Sequence, residues 1–343
     1  MRKLFFLLTV VAAIALTGCG GERGGRAASG SLVYSQSAGL NPANAWVWRA
    51  NVDGMHPVRV TKGFDPTISP NGKFVTFLRL RCASTPPGWT CPRAPKLFLS
   101  PTSGGTAKWI ANTTIIPPAL TWAPDSQRLA VEAKGGIDVF DLATGNGELI
   151  AKGNMASSPS FSPDSRFVVF QRDRRSPARG NRFNLASDLF VTDLATGKSR
   201  QITHLGDAGA PAWGPSEIAF GHNHEVWLTD RTGTRLRRLT DKKAVDNGWP
   251  SVWSANGRVL LLSNGPFRGK GTLGAVDVPS GRVSFVGAGI ALGLSRDGKV
   301  ALVDDCAYGI ARAIGRVETV PLDGGKAHAV VPGDGNCWAS WNN

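Results

Sequence analysis

The sequence lacks the usual signatures of enzymes. It has no G-x-S-x-G elbow, no H-E-x-x-H and no P-loop, so no motif points to a serine hydrolase, a zincin peptidase or a nucleotidase. "GAGIALG" (287–293) is only superficially like a dinucleotide loop, because the third glycine is missing from its required place. Cysteine is scarce, five in 343 residues, and no two stand in C-x-x-C spacing, which leaves zinc-ribbon chemistry without a framework. The apolar run Leu4–Leu16 falls short of the ~20 residues that a bilayer-spanning helix needs. Acidic residues are also in short supply: 25 Asp and Glu face 39 Lys and Arg, a formal net charge of +14. An excess of that size draws anionic partners such as lipid head groups, acidic polymers or acidic protein patches.

What the chain does have is one phrase written repeatedly. "SFSPDSRFVVF" (160–170) joins a short strand to a second by a Pro-Asp-Ser turn, in which Pro presets φ and the polar residues tolerate left-handed backbone. The phrase returns as "TISPNGKFVTF", "LTWAPDSQRLAV", "AWGPSEIAF", "SVWSANGRVLLL" and "GLSRDGKVALV", with a truncated copy in "NCWASWNN". Ile68, Trp122, Phe161, Trp213, Trp253 and Leu294 are then equivalent, at spacings of about 40 to 54 residues, the period of a four-stranded propeller blade. Between the copies lie Gly-rich turns: "NVDG", "DLATGNG", "DLATGK", "DRTGT", "DVPSG", "PLDGG" and the weaker "SPTSGG". Each blade therefore holds two hairpins, A–B and C–D. The fold class expected is an all-β propeller of seven blades, or six if one weak copy is not a blade. The strand "CWASW" would complete the first blade and close the ring, which removes two unpaired sheet edges.

These phrases resemble the WD40-like β-propeller repeat of the TolB type, over essentially all of 31–343. The resemblance implies a propeller that serves as a binding platform. It does not extend to the α/β domain that precedes the propeller in TolB, nor to a hydrolase domain of the prolyl-oligopeptidase kind.

Residues 1–18 have the two cations, short apolar core and small-residue end of a signal peptide, and "LTGC" resembles the lipobox of bacterial lipoproteins, with Cys19 as the lipidated residue. Loss of Arg2 and Lys3 with the signal takes the charge from +14 to +12. Residues 19–30 then form a Gly-rich tether, of which the eleven residues 20–30 span about 18 Å as a coil. Residues 31–343 form a single propeller domain, tethered to the extracytoplasmic side of a bacterial membrane. In such a compartment the four remaining cysteines favour disulfides. Strand polarity puts B–C and D–A loops on one face, where Cys82 pairs with Cys91 and Cys306 with Cys337; the first bridge is worth about 2 to 3 kcal/mol.

The B–C and D–A loops are also the variable ones, and function is sought there. "RDRRSPARGNRFN" brings together Arg172, Arg174, Arg175, Arg179 and Arg182, and another B–C loop adds Arg268 and Lys270. These are candidate partner-binding residues, although a solvated charged loop has the same composition. His222 and His224 in "GHNHE" are weak metal candidates against the simpler reading of a polar hairpin turn. Asp304 and Asp305 could face a cation or the loop's own Arg312 and Arg316. The function expected is a monomeric, non-catalytic, membrane-anchored propeller. It would bind an envelope protein or anionic polymer, with no nucleic acid and no resident cofactor. The alternative is an envelope hydrolase or lyase with a cation or ligand in the central channel.

Overall fold

The Ser-Pro-Asp phrase makes a turn for a local reason. Ser69, Ser162, Ser254 and Ser295 are buried, and each hydroxyl bonds the side chain two residues on, Asn71, Asp164, Asn256 or Asp297, at 2.5–2.8 Å. The same hydroxyls accept the N–H of Phe74, Phe167, Val259 and Val300, the first residues of the next strand, at 2.8–3.0 Å. The last turn residue is left-handed, with φ between 59° and 73° at Gly72, Ser126, Ser165, Gly257 and Gly298. Glycine takes that conformation freely, and serine does so only where something holds it. Neighbouring turns supply the hold: Asn71 N donates to Ser126 Oγ and Asp125 N to Ser165 Oγ, both at 3.0 Å.

A computed structural model of the chain describes residues 30–37, 42–80, 83–85, 88–90, 95–112, 120–133, 135–153, 155–175, 185–241, 249–264, 271–304, 307–309, 312–314, 316–331 and 339–342. It is a seven-bladed β-propeller of four-stranded antiparallel sheets. Blade 1 comprises Ala339–Asn342, Ser31–Gln36, Trp46–Asn51 and Val58–Lys62 as strands A to D. Blades 2 to 7 follow at 64–112, 120–152, 156–201, 209–238, 249–288 and 290–329. The ring closes as the sequence predicts, with Ser31 to Tyr34 paired to Asn342 to Ala339.

Core residues lie between blades. Ala130, Ile137 and Ala151 of blade 3 pack with Ala156, Val168 and Phe170 of blade 4, and Leu32 and Tyr34 of blade 1 pack with Leu302 and Val317 of blade 7. Burying each of the larger side chains among them, such as Ile137, Val168, Phe170 and Leu32, is worth about 1.5–3 kcal/mol, so the inter-blade seams hold the ring together. The A-strand tryptophans sew the seams near the axis. Trp122 Nε1 donates to Thr67 O of blade 2 at 3.3 Å, and Trp253 Nε1 to Ala212 O of blade 5 at 3.0 Å.

The two faces of the disc differ. A–B and C–D turns form a short-turn face that is nearly the same in each blade, whereas B–C and D–A loops form an uneven long-loop face. Described chain enters on the short-turn face: Ser31 N donates to Asn342 Oδ1 at 2.8 Å, and Asn342 Nδ2 donates to Pro70 O in the neighbouring A–B turn at 3.4 Å.

Candidate binding face and channel mouth

Among the described residues, relief on the long-loop face comes from three blades. In blade 4 the B and C strands, Phe167–Arg175 and Leu185–Asp193, run nine residues each and stay paired to Arg175 and Leu185. Small hairpins extend blades 2 and 7: Ala83–Thr85 with Gly88–Thr90, and Ala307–Gly309 with Arg312–Ile314. Blade 5, by contrast, turns its B strand into its C strand over only Asn223 and His224, both left-handed, the two-residue turn that matches strand twist.

The candidate arginines of blade 4 divide into different environments. Arg172 lies over Phe170 and Phe190, 5.6 and 5.0 Å from their ring centroids, and donates to Lys152 O of blade 3 at 3.4 Å. Arg79 of blade 2 repeats the arrangement, over Phe77 and Phe98, with Nε donating to Lys62 O of blade 1 at 2.9 Å. Both guanidiniums brace one blade against the previous one. Arg174 is exposed, and its Nη2 reaches Asp188 Oδ2 at 3.1 Å. Asp188 is buried and accepts from Thr203 Oγ1, Leu205 N and Gly206 N, so Arg174 rests on a carboxylate already held in place. Arg175 is placed by its backbone pairing alone. Arg179, Arg182, Arg268, Lys270, Cys19, Cys82, Cys91, Cys306, Cys337 and Asp305 lie outside the described residues.

His222 precedes the blade 5 turn and His224 lies in it. His222 Nδ1 bonds Asp207 Oδ1, Asn223 N donates to the other oxygen of that carboxylate at 3.0 Å, and the His222 ring meets Trp227 edge-on at 5.3 Å. Glu225 accepts from Trp227 Nε1 at 3.2 Å and Arg238 Nη1 at 3.4 Å. Among the described residues no group of three or more His, Cys, Asp or Glu side chains is placed to hold a metal ion.

Toward the axis the face becomes acidic, a feature the sequence reading missed. In blades 2, 4, 5, 6 and 7 the A strand begins with a bulge against its B strand. Asp65, Ser158 and Ala210 are left-handed there, φ 47° to 53°, each followed by Pro. A bulge leaves an N–H out of the ladder, and the fifth B-strand residue of the preceding blade takes it. Gln171 Oε1 accepts from Ala210 N at 3.0 Å, Ser263 Oγ accepts from Ala291 N at 2.9 Å, and the Glu132 carboxylate accepts from the Ser158 backbone. Asp304 holds the corresponding position in blade 7 and is fully buried. Burial, reinforced by the charge of Asp304, pushes the Asp65 carboxyl up to about 7. Burial also raises Glu132, against the Ser158 hydrogen bond and with help from Asp173. Asp65, Glu132 and Asp304 thus make the mouth acidic. The local signal for Asp65 was a lone acid before Pro in "FDPTIS", but Asp304 stands 239 positions away and no spacing rule links the two.

No family model matches the chain. It is 27% identical over 114 residues to a TolB homologue of Chlorobium chlorochromatii, covering 32% of this chain and 23% of the relative. It is 23% identical over 196 residues to an uncharacterized peptidase, YuxL, of Bacillus subtilis, covering 56% of this chain and 26% of the relative. The matches therefore span about a quarter of each relative's length. Among solved structures, TolB of Acinetobacter baumannii superposes with a TM-score of 0.50 at 16% identity, over 92% of this chain and 67% of that one. The propeller domain of the trilobed protease of Pyrococcus furiosus, described as having an open velcro topology, gives 0.61 at 13% identity over 88% and 92%. Oligogalacturonate lyase of Vibrio parahaemolyticus gives 0.56 at 12% identity over 88% and 86%. Fold and repeats together define a seven-bladed β-propeller similar to those of TolB proteins. Unlike the archaeal domain, this ring is sealed by paired strands.

Proposed function

We propose that the chain is a membrane-anchored, non-catalytic propeller that binds another component of the bacterial envelope through its long-loop face. The observation that carries this reading is the contrast between the faces. The short-turn face repeats from blade to blade, while the long-loop face varies and projects from blade 4 a hairpin of two nine-residue strands. A surface that varies on a regular scaffold is where recognition is built. Similarity to TolB proteins supports an envelope setting, and the lipobox at Cys19 supports the anchor. Arg174, Arg175, Arg179 and Arg182, with Arg268 and Lys270, would meet an acidic partner. In the same reading Cys82–Cys91 and Cys306–Cys337 are disulfides, so thiol titration of the unreduced mature protein should return no free thiol from these four.

The test is capture from detergent-solubilised envelopes, with the Cys19→Ser chain as bait. One protein retained in stoichiometric amount, and lost with an Arg174→Glu/Arg175→Glu/Arg179→Glu variant, is the expected result. Retention unaffected by charge reversal would remove the hairpin from the site. The acidic mouth favours a second reading, an envelope lyase or hydrolase using a cation at the channel. A stoichiometric divalent cation in protein purified from metal-free buffer would favour that reading over the scaffold.

A further inference from the structure

The point where the described chain begins sets which way the disc faces. We propose that the short-turn face lies against the anionic membrane surface and that the long-loop face points away from it, an inference that rests on the lipid-anchored reading above. Gly30 sits beside Asn342 and Val52, next to the A–B and C–D turns, so the link from Cys19 leaves from the short-turn face. Residues 20–30 reach about 18 Å as a coil and about 40 Å when fully drawn out. To set the long-loop face on the membrane, that link would have to cross the two outer strands of blade 1, about 10 Å, and then pass down a blade about 20 Å tall. It would then have to double back beneath the loops. Nearly all its length would be consumed in a taut path around the rim, whereas the opposite orientation needs no extension at all.

Charge agrees with this orientation. The carboxylates of the short-turn face bond back into their own turns. Asp164 accepts from Ser162 Oγ and Arg166 N, Asp230 from Thr232 and Thr234, and Asp297 from Ser295 Oγ and Lys299 N. Those hydrogen bonds hold all three below the usual carboxylate range, Asp230 furthest. The cations of the same turns, among them Arg166, Arg231, Arg235, Arg296, Lys299 and Lys326, are exposed. Both signs are exposed on this face, the carboxylates tied by hydrogen bonds to their own turns and the cations on longer side chains that an anionic surface can draw toward itself within the ~8 Å over which head groups act at physiological salt. Met55, 58% exposed in the C–D turn beside Gly30, adds an apolar contact where the chain leaves the disc.

The experiment uses the full lipidated chain in vesicles of phosphatidylethanolamine and phosphatidylglycerol that carry a lipid-linked energy acceptor. An azide-bearing residue replaces either Ala195, exposed in the C–D turn of blade 4, or His204, exposed in its D–A loop, and is coupled to a donor dye without using the native thiols. Transfer from position 195 is expected to be at least about twice that from position 204. Equal or reversed transfer in protein that floats with the vesicles would overturn the orientation while leaving the anchor intact. If the chain does not float, the anchor reading fails and the orientation falls with it.

Discussion

Asp65 carries two burdens at once. Its backbone is left-handed at φ 52° and its carboxyl is pushed up to about 7, first by burial and then by Asp304. An unfolded Asp titrates near 3.9, so between about pH 4 and 7 the folded chain keeps a proton that the unfolded chain has released. Stability contributed at this site is therefore present at low pH, is lost as pH rises through that window, and is flat above it. Asparagine tolerates the same left-handed backbone without the charge. Asp65→Asn should raise Tm by several °C at pH 8, as a gain of about 1–2 kcal/mol would, and by nothing measurable at pH 4. Equal gains at the two pH values in calorimetry would refute the account. Ser162 is a cleaner case, because blade 3 has Ala123 at the equivalent position and so shows that alanine fits. Ser162→Ala should cost about 1–2 kcal/mol by leaving Phe167 N without its acceptor. An unchanged urea midpoint would mean that another group serves that N–H.

Strands and seams test the inter-blade contacts. A methyl group on Gly293 would come within 2.2 Å of Trp341 Nε1, whereas one on Gly274 meets nothing nearer than Val283 at 3.5 Å. Gly293→Ala should destabilise by about 1–3 kcal/mol through displacement of the closing tryptophan, and Gly274→Ala should be neutral or slightly stabilising. Similar midpoints for the two variants would show that Trp341 moves aside at little cost. Legibility of the sequence follows the same division. Hairpins could be read because Pro, Asp, Ser and Gly act within five or six residues of one another, and the blade count followed from their spacing. The Arg79–Lys62 and Gln171–Ala210 contacts could not, since each joins one blade to another, across 17 and 39 positions, and no spacing rule links the partners. For the same reason Arg172 and Arg174 looked alike in a basic run, yet one braces a seam and the other rests exposed on Asp188.

At the scale of the whole molecule, ring closure is a single event. Removing residues 339–342 takes the inner strand from blade 1 and exposes the edge of Ser31–Gln36. Such a chain should lose several °C in Tm and self-associate, which calorimetry and light scattering would detect. A monodisperse protein of unchanged Tm would show that six complete blades and a fragment suffice.

Closure also has a timetable. The strands sealed at Ser31 and Asn342 stand 311 positions apart, and a ribosome adding about 5–20 residues per second delivers the second strand about 15 to 60 s after the first. Throughout that interval Leu32 and Tyr34 border a gap that no other strand of the chain fills. The ring therefore cannot close until its last strand has emerged, and its earliest strand needs shelter from other chains for longer than any other part of the ring.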